Sequence, residues 1–262
     1  MGSDTALRQS PIGVFDSGVG GLSILRALRA QLPCEHFVYL ADSGFAPYGE
    51  RDDSFVVERA RAVAQRLLDE HAIKALVIAC NTATAAAVHL LREQLPGLPI
   101  VGVEPALKPA LALTRTGRIG VMATRGTLAS ARFAALHASL TGQGEFLLQP
   151  CDGLADAIES HDAPRIAGLC ERYTTALGRF GDGQGAIDTL VLGCTHYPFA
   201  QQQLQALVGD AVRMVETGEP VARQTRRLLD AAGMLQQGGE GGVALLSTGD
   251  LARLELSASR WL

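Results

Sequence analysis

The sequence lacks the features of membrane-spanning, secreted and nucleic-acid-binding proteins. No apolar run approaches the roughly 18 residues needed to cross a bilayer, and Met1 to Ser10 lacks the apolar core of a signal peptide. The formal net charge is −4, so the chain has no basic surplus with which to bind nucleic acid. Five cysteines are an odd number for a disulfide framework and favour a reducing compartment. We therefore expect a cytoplasmic protein without membrane or nucleic-acid partners.

What the sequence does contain is enough apolar material for a large core, arranged in alternating strand-like and helix-like segments. The chain has 262 residues, of which 47% are hydrophobic and 19% are charged, and this suits one large domain or two of ordinary size. Strand-like runs at Ile12 to Phe15, His36 to Leu40 and Ala75 to Ala79 are each followed by a segment with helical spacing of apolar residues. This alternation predicts an α/β fold with parallel sheets.

Two cysteines occupy matching settings. Cys80 follows Val77-Ile78-Ala79 and Cys194 follows Val191-Leu192-Gly193, and each precedes a segment that is predicted to be helical. The amides and dipole of a helix N-terminus stabilise negative charge, so a thiolate is favoured at both positions. Packing explains a single buried cysteine at a strand end equally well, but a matched pair indicates two thiols that face one ligand. Such a pair suits a reaction that takes a proton from one side of a carbon and returns it from the other.

The two cysteines belong to a longer internal repeat. Ile119-Gly120-Val121-Met122-Ala123-Thr124 echoes Ile12-Gly13-Val14-Phe15-Asp16-Ser17, and a thiol-bearing strand follows each of them. Predicted strands from Ala211 to Val215 and from Val243 to Ser247 resume the strand and helix pattern of the first half. We therefore predict two similar doubly wound parallel-sheet domains with the active site in the cleft between them. The predicted first domain spans residues 11–104 and 212–262, and the second spans residues 105–211.

Polar residues gather at the predicted carboxyl ends of the strands, where open α/β sheets bind their ligands. The residues at such ends are Asp16, Ser17, Asp42, Cys80, Thr124 and Cys194. His196 lies two residues after Cys194, close enough to exchange a proton with chemistry there. Cys34, Cys151 and Cys170 lack such a setting, so we interpret them as structural.

Three other interpretations stay open at this point. The turn from Asp16 to Gly21, with Asp42 ending the next strand, is a possible dinucleotide site of a nicotinamide-dependent oxidoreductase. The match is poor, because Ser23 stands where the third glycine should be. A zinc site is weaker, because Cys194 and His196 form no four-ligand spacing with the other cysteines. A non-catalytic ligand-binding protein of the same fold, with structural cysteines, is the third.

Four motifs together resemble the glutamate racemase family. They are Asp16-Ser17-Gly18-Val19-Gly20-Gly21-Leu22, Ala46-Pro47-Tyr48-Gly49, Ala79-Cys80-Asn81-Thr82-Ala83 and Leu192-Gly193-Cys194-Thr195-His196-Tyr197-Pro198. The resemblance extends from Ile12 to Asp250. It implies interconversion of L- and D-glutamate without a cofactor or a metal, by a homodimer of unspecified geometry, to supply D-glutamate for peptidoglycan. A racemase of another acidic amino acid, such as aspartate, is the nearest alternative.

The resemblance also implies roles for individual residues. Cys80 would act on the D-enantiomer and Cys194 on the L-enantiomer, each as an acid–base group. Asp16 matches a carboxylate that assists the first thiol, and His196 matches a histidine that assists the second. Glu159 matches a further assisting glutamate, although Asp152 stands where the family usually has proline after the cysteine. The substrate contacts that the resemblance implies are Asp16, Ser17, Pro47, Tyr48, Gly49, Asn81, Thr82, Thr124, Thr127, Thr195 and His196.

Overall fold

The chain forms two compact units in a computed structural model that describes residues 7–262. One unit comprises the described residues up to Val103 together with Gly218–Leu262, and the other comprises Glu104–Thr217. Each unit is built on its own sheet, and every strand pairing in both sheets is parallel. The predicted fold class of two parallel-sheet α/β domains is therefore confirmed.

Strands and helices alternate along both units. The strands in residues 7–262 are β1 (Ile12–Asp16), β2 (Phe37–Ala41), β3 (Ala75–Ile78), β4 (Ile100–Gly102), β5 (Arg118–Ala123), β6 (Glu145–Pro150), β7 (Thr189–Leu192), β8 (Arg213–Val215) and β9 (Val243–Ser247). The α-helices that follow β1 are α1 (Leu22–Gln31), α2 (Asp53–His71), α3 (Asn81–Gln94), α4 (Leu107–Leu113), α5 (Arg125–Ala129), α6 (Ala131–Ala138), α7 (Leu154–Glu159), α8 (Ala163–Leu177), α9 (Gln201–Val208), α10 (Gly218–Ala231) and α11 (Leu251–Trp261). Short 3₁₀ segments lie at Ser43–Phe45, Tyr48–Glu50 and Tyr197–Ala200.

The two sheets have the same topology, as the internal repeat predicts. The first sheet has the order β4-β3-β1-β2-β9, and the second, taken in the equivalent direction, has the order β8-β7-β5-β6. The strands β1 to β4 therefore correspond one by one to β5 to β8, and β9 is an addition at the edge of the first sheet. Because β9 pairs with β2, the chain returns to the first sheet after the second unit.

Glycines at matching places show how closely the two units repeat each other. A Cβ on Gly13 in β1 would lie 2.8 Å from the side chain of Ile73, and a Cβ on Gly120 in β5 would lie 3.1 Å from Leu190 and 3.4 Å from Ile187. Both central strands thus leave room for an isoleucine that precedes the thiol-bearing strand. The strands β1, β3 and β7 are buried along their whole length, which is typical of sheets covered on both faces.

The predicted end of the second domain is wrong. The sequence prediction ends this domain at residue 211 and assigns the strand from Ala211 to Val215 to the first domain. In the structure this strand is β8, which pairs with β7, and the second unit extends to Thr217. The strand belongs to the second unit because it is the counterpart of β4 at the edge of the repeated sheet.

Two further local predictions need correction. Helix α3 begins immediately after Cys80, whereas a turn and the 3₁₀ segment Tyr197–Ala200 follow Cys194 before α9 begins at Gln201. The helix predicted from about Thr127 starts at Arg125 and is interrupted at Ser130, whose side chain caps a second helix. Among residues 7–262, no helix combines the length and apolar character needed to cross a membrane.

Candidate active site

Each sheet has one point at which the strand order reverses direction. Cys80 lies at this point in the first sheet, and Cys194 lies at the equivalent point in the second. In the first unit the chain goes from β1 to β2 on one side and then crosses to β3 on the other, so the reversal lies between β1 and β3. Asp16 ends β1, and Cys80 follows β3 by two residues. The equivalent reversal in the second unit lies between β5, followed by Thr124, and β7, followed by Cys194. Ligands of open α/β sheets bind at such reversals, beyond the carboxyl ends of the strands.

Cys80 is the N-cap residue of helix α3. Its backbone is extended, and its sulfur accepts a hydrogen bond from the amide of Ala83 at 3.4 Å. The side chain is buried, with 5% of its surface exposed. A helix N-terminus that directs an N–H group at the sulfur favours the thiolate.

A short chain of polar groups links Cys80 to the carboxylate of Asp16. The Cys80 thiol lies 3.9 Å from the Ser17 hydroxyl, which in turn donates to Asp16 Oδ1 at 3.4 Å. Asp16 is fully buried, and its Oδ2 accepts the amide of Gly21 at 2.5 Å. Gly21 has to be glycine, because a Cβ there would lie 2.7 Å from the Asp16 Cβ and 2.8 Å from the Tyr39 hydroxyl.

Asn81, directly after Cys80, carries a buried side-chain amide. Only 4% of the residue is exposed, and neither Oδ1 nor Nδ2 has a hydrogen-bond partner among residues 7–262. A buried and unsatisfied amide is costly. Its presence beside a thiol at a sheet reversal therefore points to a ligand that satisfies it. Thr82 is similarly buried, with 5% of its surface exposed.

The Pro47-Tyr48-Gly49 turn is held in place by its tyrosine. Tyr48 is 1% exposed, and its hydroxyl donates to Asp42 Oδ2 at 2.5 Å. The side chain thus points into the protein, so the turn can offer a ligand its backbone groups. The amides that begin a short 3₁₀ segment have no partner within the segment.

Cys194 has an imidazole where Cys80 has a helix amide. Cys194 Sγ lies 3.8 Å from His196 Nδ1, and His196 Nε2 lies 2.8 Å from Glu159 Oε2. The three side chains are buried or nearly so, with 12% of the Glu159 side chain exposed. Because a carboxylate only accepts, Nε2 carries the proton toward Glu159, and Nδ1 faces the sulfur. The structure therefore brings Cys194 together with His196, which the resemblance assigns to the second thiol, and with Glu159, which the resemblance gives as a further assisting glutamate.

Thr124, Thr127 and Thr195 lie near the ends of β5 and β7. Thr124 caps helix α5, accepting the amide of Thr127 at 3.2 Å, and its hydroxyl donates to Thr127 Oγ1 at 2.9 Å. Thr127 and Thr195 are buried, at 2% and 3% exposure. Between Thr195 and β7, Gly193 leaves no room for a side chain, since a Cβ would lie 2.8 Å from the backbone oxygen of Met122.

Cys151 and Cys170 have the character of packing residues. Burial raises the pKa of Cys170 to about 11. Burial, together with the neighbouring Cys194, raises the pKa of Cys151 as well, and the Cys151 thiol donates to the carbonyl of Gln149 at 3.3 Å. These two side chains stay protonated at neutral pH and lie in one apolar cluster behind Cys194. All five cysteines lie in the described range, and none forms a disulfide.

The dinucleotide interpretation of the Gly-rich turn is wrong. Asp42, which would bind a ribose, is fully buried and occupied by Tyr48 and Arg59. At the start of α1, the amides of Leu22, Ser23 and Ile24 donate to backbone carbonyls of the turn itself. The first amides of α1 and the acidic residue that this fingerprint requires are therefore both engaged within the protein. As for metals, residues 7–262 contain no cluster of three or more His, Cys, Asp or Glu side chains arranged to hold an ion.

Sequence reasoning missed residues whose side chains fix the loops that carry the candidate site residues. Arg59 on α2 binds Asp42 through two nitrogens, and Tyr39 donates to the carbonyl of Gly18 at 2.6 Å. Tyr173 on α8 donates to the carbonyl of Asp152 at 2.6 Å, which fixes the loop before α7. Their side chains join segments that are far apart in the sequence, so no local sequence pattern predicts these contacts.

Comparison with known proteins identifies the family. A family model for Asp/Glu/hydantoin racemases matches residues 17–225. The chain is 49% identical over 249 residues to the glutamate racemase of Ectopseudomonas mendocina, covering 94% of this chain and 92% of that one. Among solved structures, glutamate racemase isoform RacE1 from Bacillus anthracis matches with a TM-score of 0.84 and 31% identity, over 97% of this chain and 94% of that one. Escherichia coli glutamate racemase, in complex with L-glutamate and the activator UDP-MurNAc-ala, also matches with a TM-score of 0.84 and 31% identity, over 96% and 95%. This chain belongs to the Asp/Glu/hydantoin racemase family, and these relatives within it are glutamate racemases.

Proposed function

We propose that this chain interconverts L-glutamate and D-glutamate by proton transfer at Cα, with Cys80 and Cys194 as the two acid–base groups. The observation that carries the proposal is the recurrence of a buried thiol at equivalent strand ends of two sheets with the same topology. The relatives support glutamate as the substrate, since one of them was solved in complex with L-glutamate.

Two thiols are sufficient for the proton balance of racemisation. One thiolate takes the α-proton, the electron pair of the broken C–H bond moves into the adjacent carboxylate, and the opposite thiol donates its proton to the other face of the planar carbon. The first sulfur ends as a thiol and the second as a thiolate, so the next turnover in the reverse direction finds the correct arrangement. On this assignment Cys80 deprotonates the D-enantiomer and Cys194 the L-enantiomer, and no cofactor or metal takes part.

The barrier lies in forming a carbanion beside a carboxylate, so the site has to stabilise negative charge strongly. Donors that are already oriented, such as the helix amides after Cys80 and the buried amide of Asn81, act in this way without reorganisation. We assign the remaining binding roles to the backbone of Pro47, Tyr48 and Gly49 and to the side chains of Ser17, Thr82, Thr124, Thr127, Thr195 and His196. Excluding water would strengthen these contacts.

Each thiol has its own support in this proposal. Asp16 assists Cys80 through the hydroxyl of Ser17, and His196 assists Cys194 with Glu159 behind it. An imidazole that is held by a carboxylate can accept the thiol proton or stabilise the thiolate. We further propose that the protein works as a cytoplasmic homodimer and supplies D-glutamate for peptidoglycan.

The decisive experiment is incubation of the pure protein with L-glutamate in deuterated water without added cofactor. We expect D-glutamate to form with deuterium at Cα, because each product molecule receives its α-proton from a thiol that exchanges with solvent. Chiral chromatography with mass spectrometry measures both. A parallel incubation with L-aspartate tests the substrate, and faster turnover of aspartate would reject glutamate. Formation of D-glutamate that required a nicotinamide or pyridoxal cofactor would reject the mechanism.

A further inference from the structure

A buried carboxylate beside the Pro47-Tyr48-Gly49 turn collects three strong donors. Asp42 follows β2 and is fully buried. It accepts the Tyr48 hydroxyl at 2.5 Å on Oδ2, and it accepts Arg59 Nε on Oδ2 and Arg59 Nη2 on Oδ1, both at 2.9 Å. A two-pronged arginine–carboxylate pair has a fixed orientation as well as a favourable energy. Removing the arginine would leave the carboxylate buried without its counter-charge.

The same guanidinium also holds the loop at a second point. The central carbon of the Arg59 guanidinium lies 3.5 Å from the centroid of the Phe45 ring, in a cation–π contact. Phe45 is 37% exposed and ends the 3₁₀ segment that precedes Pro47. Arg59, from helix α2, therefore contacts the loop before the turn through Phe45, and it binds Asp42, the carboxylate that accepts the Tyr48 hydroxyl of the turn.

Tyr48 and Arg59 keep their protons over a wide pH range. Burial, with the hydrogen bond to Asp42 as the next cause, raises the pKa of Tyr48. The hydrogen bond to Asp42 raises the pKa of Arg59. The phenol therefore stays a donor and the guanidinium stays a cation, so the cluster holds the turn rather than exchanging protons with a substrate.

We propose that Arg59 is a positioning residue that sets the Pro47-Tyr48-Gly49 turn for binding of the amino-acid substrate. Given the proposed function, on which this role depends, the turn contributes backbone N–H groups, since the Tyr48 side chain is committed to Asp42. The place of those N–H groups depends on where the tyrosine ring is anchored. Contacts made equally to bound substrate and to the transition state change KM while leaving kcat nearly unaltered. Arg59 thus acts on KM without touching the substrate.

The test compares Arg59→Lys with Arg66→Lys on the same helix. Lysine keeps the positive charge at position 59 but loses the two-pronged geometry and the flat contact with Phe45. Arg66 pairs with Glu70 at 3.0 Å on the exposed face of α2, so its replacement controls for the loss of an arginine from this helix. We expect KM for glutamate to rise about tenfold in Arg59→Lys, with kcat within about twofold of wild type and little change in Tm. Arg66→Lys should match wild type in all three quantities.

A second variant distinguishes an effect on the position of the turn from an effect on the stability of the fold. Tyr48→Phe removes only the hydroxyl that reaches Asp42 and keeps the ring, so a folded protein with a smaller rise in KM is expected. Ethylguanidinium in millimolar amounts should lower KM in Arg59→Ala and leave wild type unchanged. An unaltered KM in folded Arg59→Lys and Tyr48→Phe would overturn the proposal. A fall in kcat as large as the fall in kcat/KM, accompanied by a lower Tm, would also overturn it. A wild-type protein without glutamate racemisation would instead reject the proposed function, before any variant is compared.

Discussion

The two units place their thiols alike and surround them with different groups. Equivalent positions hold Asp16 at the end of β1 but Ala123 at the end of β5, and Thr82 two residues after the first thiol but His196 two residues after the second. The first thiol consequently has a helix amide and a carboxylate reached through serine, whereas the second has an imidazole backed by a carboxylate. The repeated fold determines where a thiol stands, and single side chains determine what assists it.

This difference matters because the two supports can do different things. A backbone amide stabilises a thiolate but cannot take up a proton, whereas an imidazole can do both. The helix after Cys80 starts at the next residue, so the amides of its first turn lie close to the sulfur. After Cys194 the chain makes a turn and a 3₁₀ segment instead, and this turn brings His196 back toward the sulfur.

The largest loss is expected when either thiol is removed. Cys80→Ser and Cys194→Ser each put a much weaker acid of similar size at the reacting face, so we expect racemisation to fall by about 10³-fold. Since the two enantiomers have equal free energies in water, kcat/KM must fall equally in both directions for either variant. Circular dichroism from each enantiomer measures this, with Cys34→Ser as the control. Full racemisation by Cys194→Ser would show that the thiols are not a pair.

The support of the second thiol comes next. His196→Asn removes the imidazole beside Cys194, and we expect kcat to fall about 10²-fold because the thiol loses its proton partner. Glu159→Gln keeps an acceptor for Nε2 but loses the charge, so a smaller loss of about tenfold is expected. Glu171→Gln, at an exposed position of α8 in the same unit, is the matched control. Steady-state kinetics measure all three, and wild-type kcat in His196→Asn would show that His196 does not assist the second thiol.

Both units contain a glycine near the thiol-bearing strand at which neighbouring atoms leave no room for a Cβ. Gly193→Ala brings a Cβ to 2.8 Å from the Met122 carbonyl oxygen, and Gly21→Ala brings one to 2.7 Å from the Asp16 Cβ. We expect each to lower the free energy of unfolding by about 1–3 kcal/mol. Gly97→Ala, where nothing lies within 4 Å of the added Cβ, should be near neutral. Urea unfolding measures the effect, and neutral substitutions at positions 21 and 193 would mean that the two turns relax freely.

Several elements could be predicted because their signals are local. The strands that carry the thiols are continuous apolar runs, and every residue of β3 and β7 is buried. The strand β6 is not predicted from the sequence, because its apolar run, Phe146-Leu147-Leu148, has only three residues, and none of the residues of Glu145–Pro150 is buried. The sheet to which β8 belongs could not be predicted either, because a strand of three residues pairs according to the fold around it.

The site divides in the same way. Cys80 and Cys194 are visible from their matched settings, whereas Glu159 was predicted only from the family resemblance. Its contact with His196 joins residues 37 positions apart, and the contact of Arg59 with Asp42 joins residues 17 apart. Such partners are chosen by tertiary packing, so sequence patterns over a single helix or strand do not reveal them.

A last comparison concerns the residue that precedes each thiol-bearing strand, which is charged and buried in both units but of opposite sign. Lys74 precedes β3, and its ammonium reaches Glu35 at 2.5 Å and the carbonyls of Arg8 and Met234. Asp188 precedes β7 and accepts the Thr114 and Thr189 hydroxyls and the amides of residues 115 and 116. Burial alone would raise the pKa of Asp188, but these four hydrogen bonds outweigh burial and lower it from 3.8 to about 2.

Asp188 should therefore make the stability of the second unit sensitive to acid, and this is the smallest effect we expect. A carboxyl group with a lowered pKa in the folded state stabilises the fold above its ordinary pKa and loses this contribution as the pH falls toward the folded value. For Asp188 the contribution is about 2 kcal/mol, present above about pH 4 and lost on approaching pH 2. Asp188→Asn should be less stable than wild type at neutral pH, and the gap should close in acid. Urea unfolding across this range measures it, with exposed Asp210→Asn as the control. Parallel curves for wild type and Asp188→Asn would show that acid acts elsewhere, because only a group that titrates differently in the folded and unfolded chain can make the two curves converge.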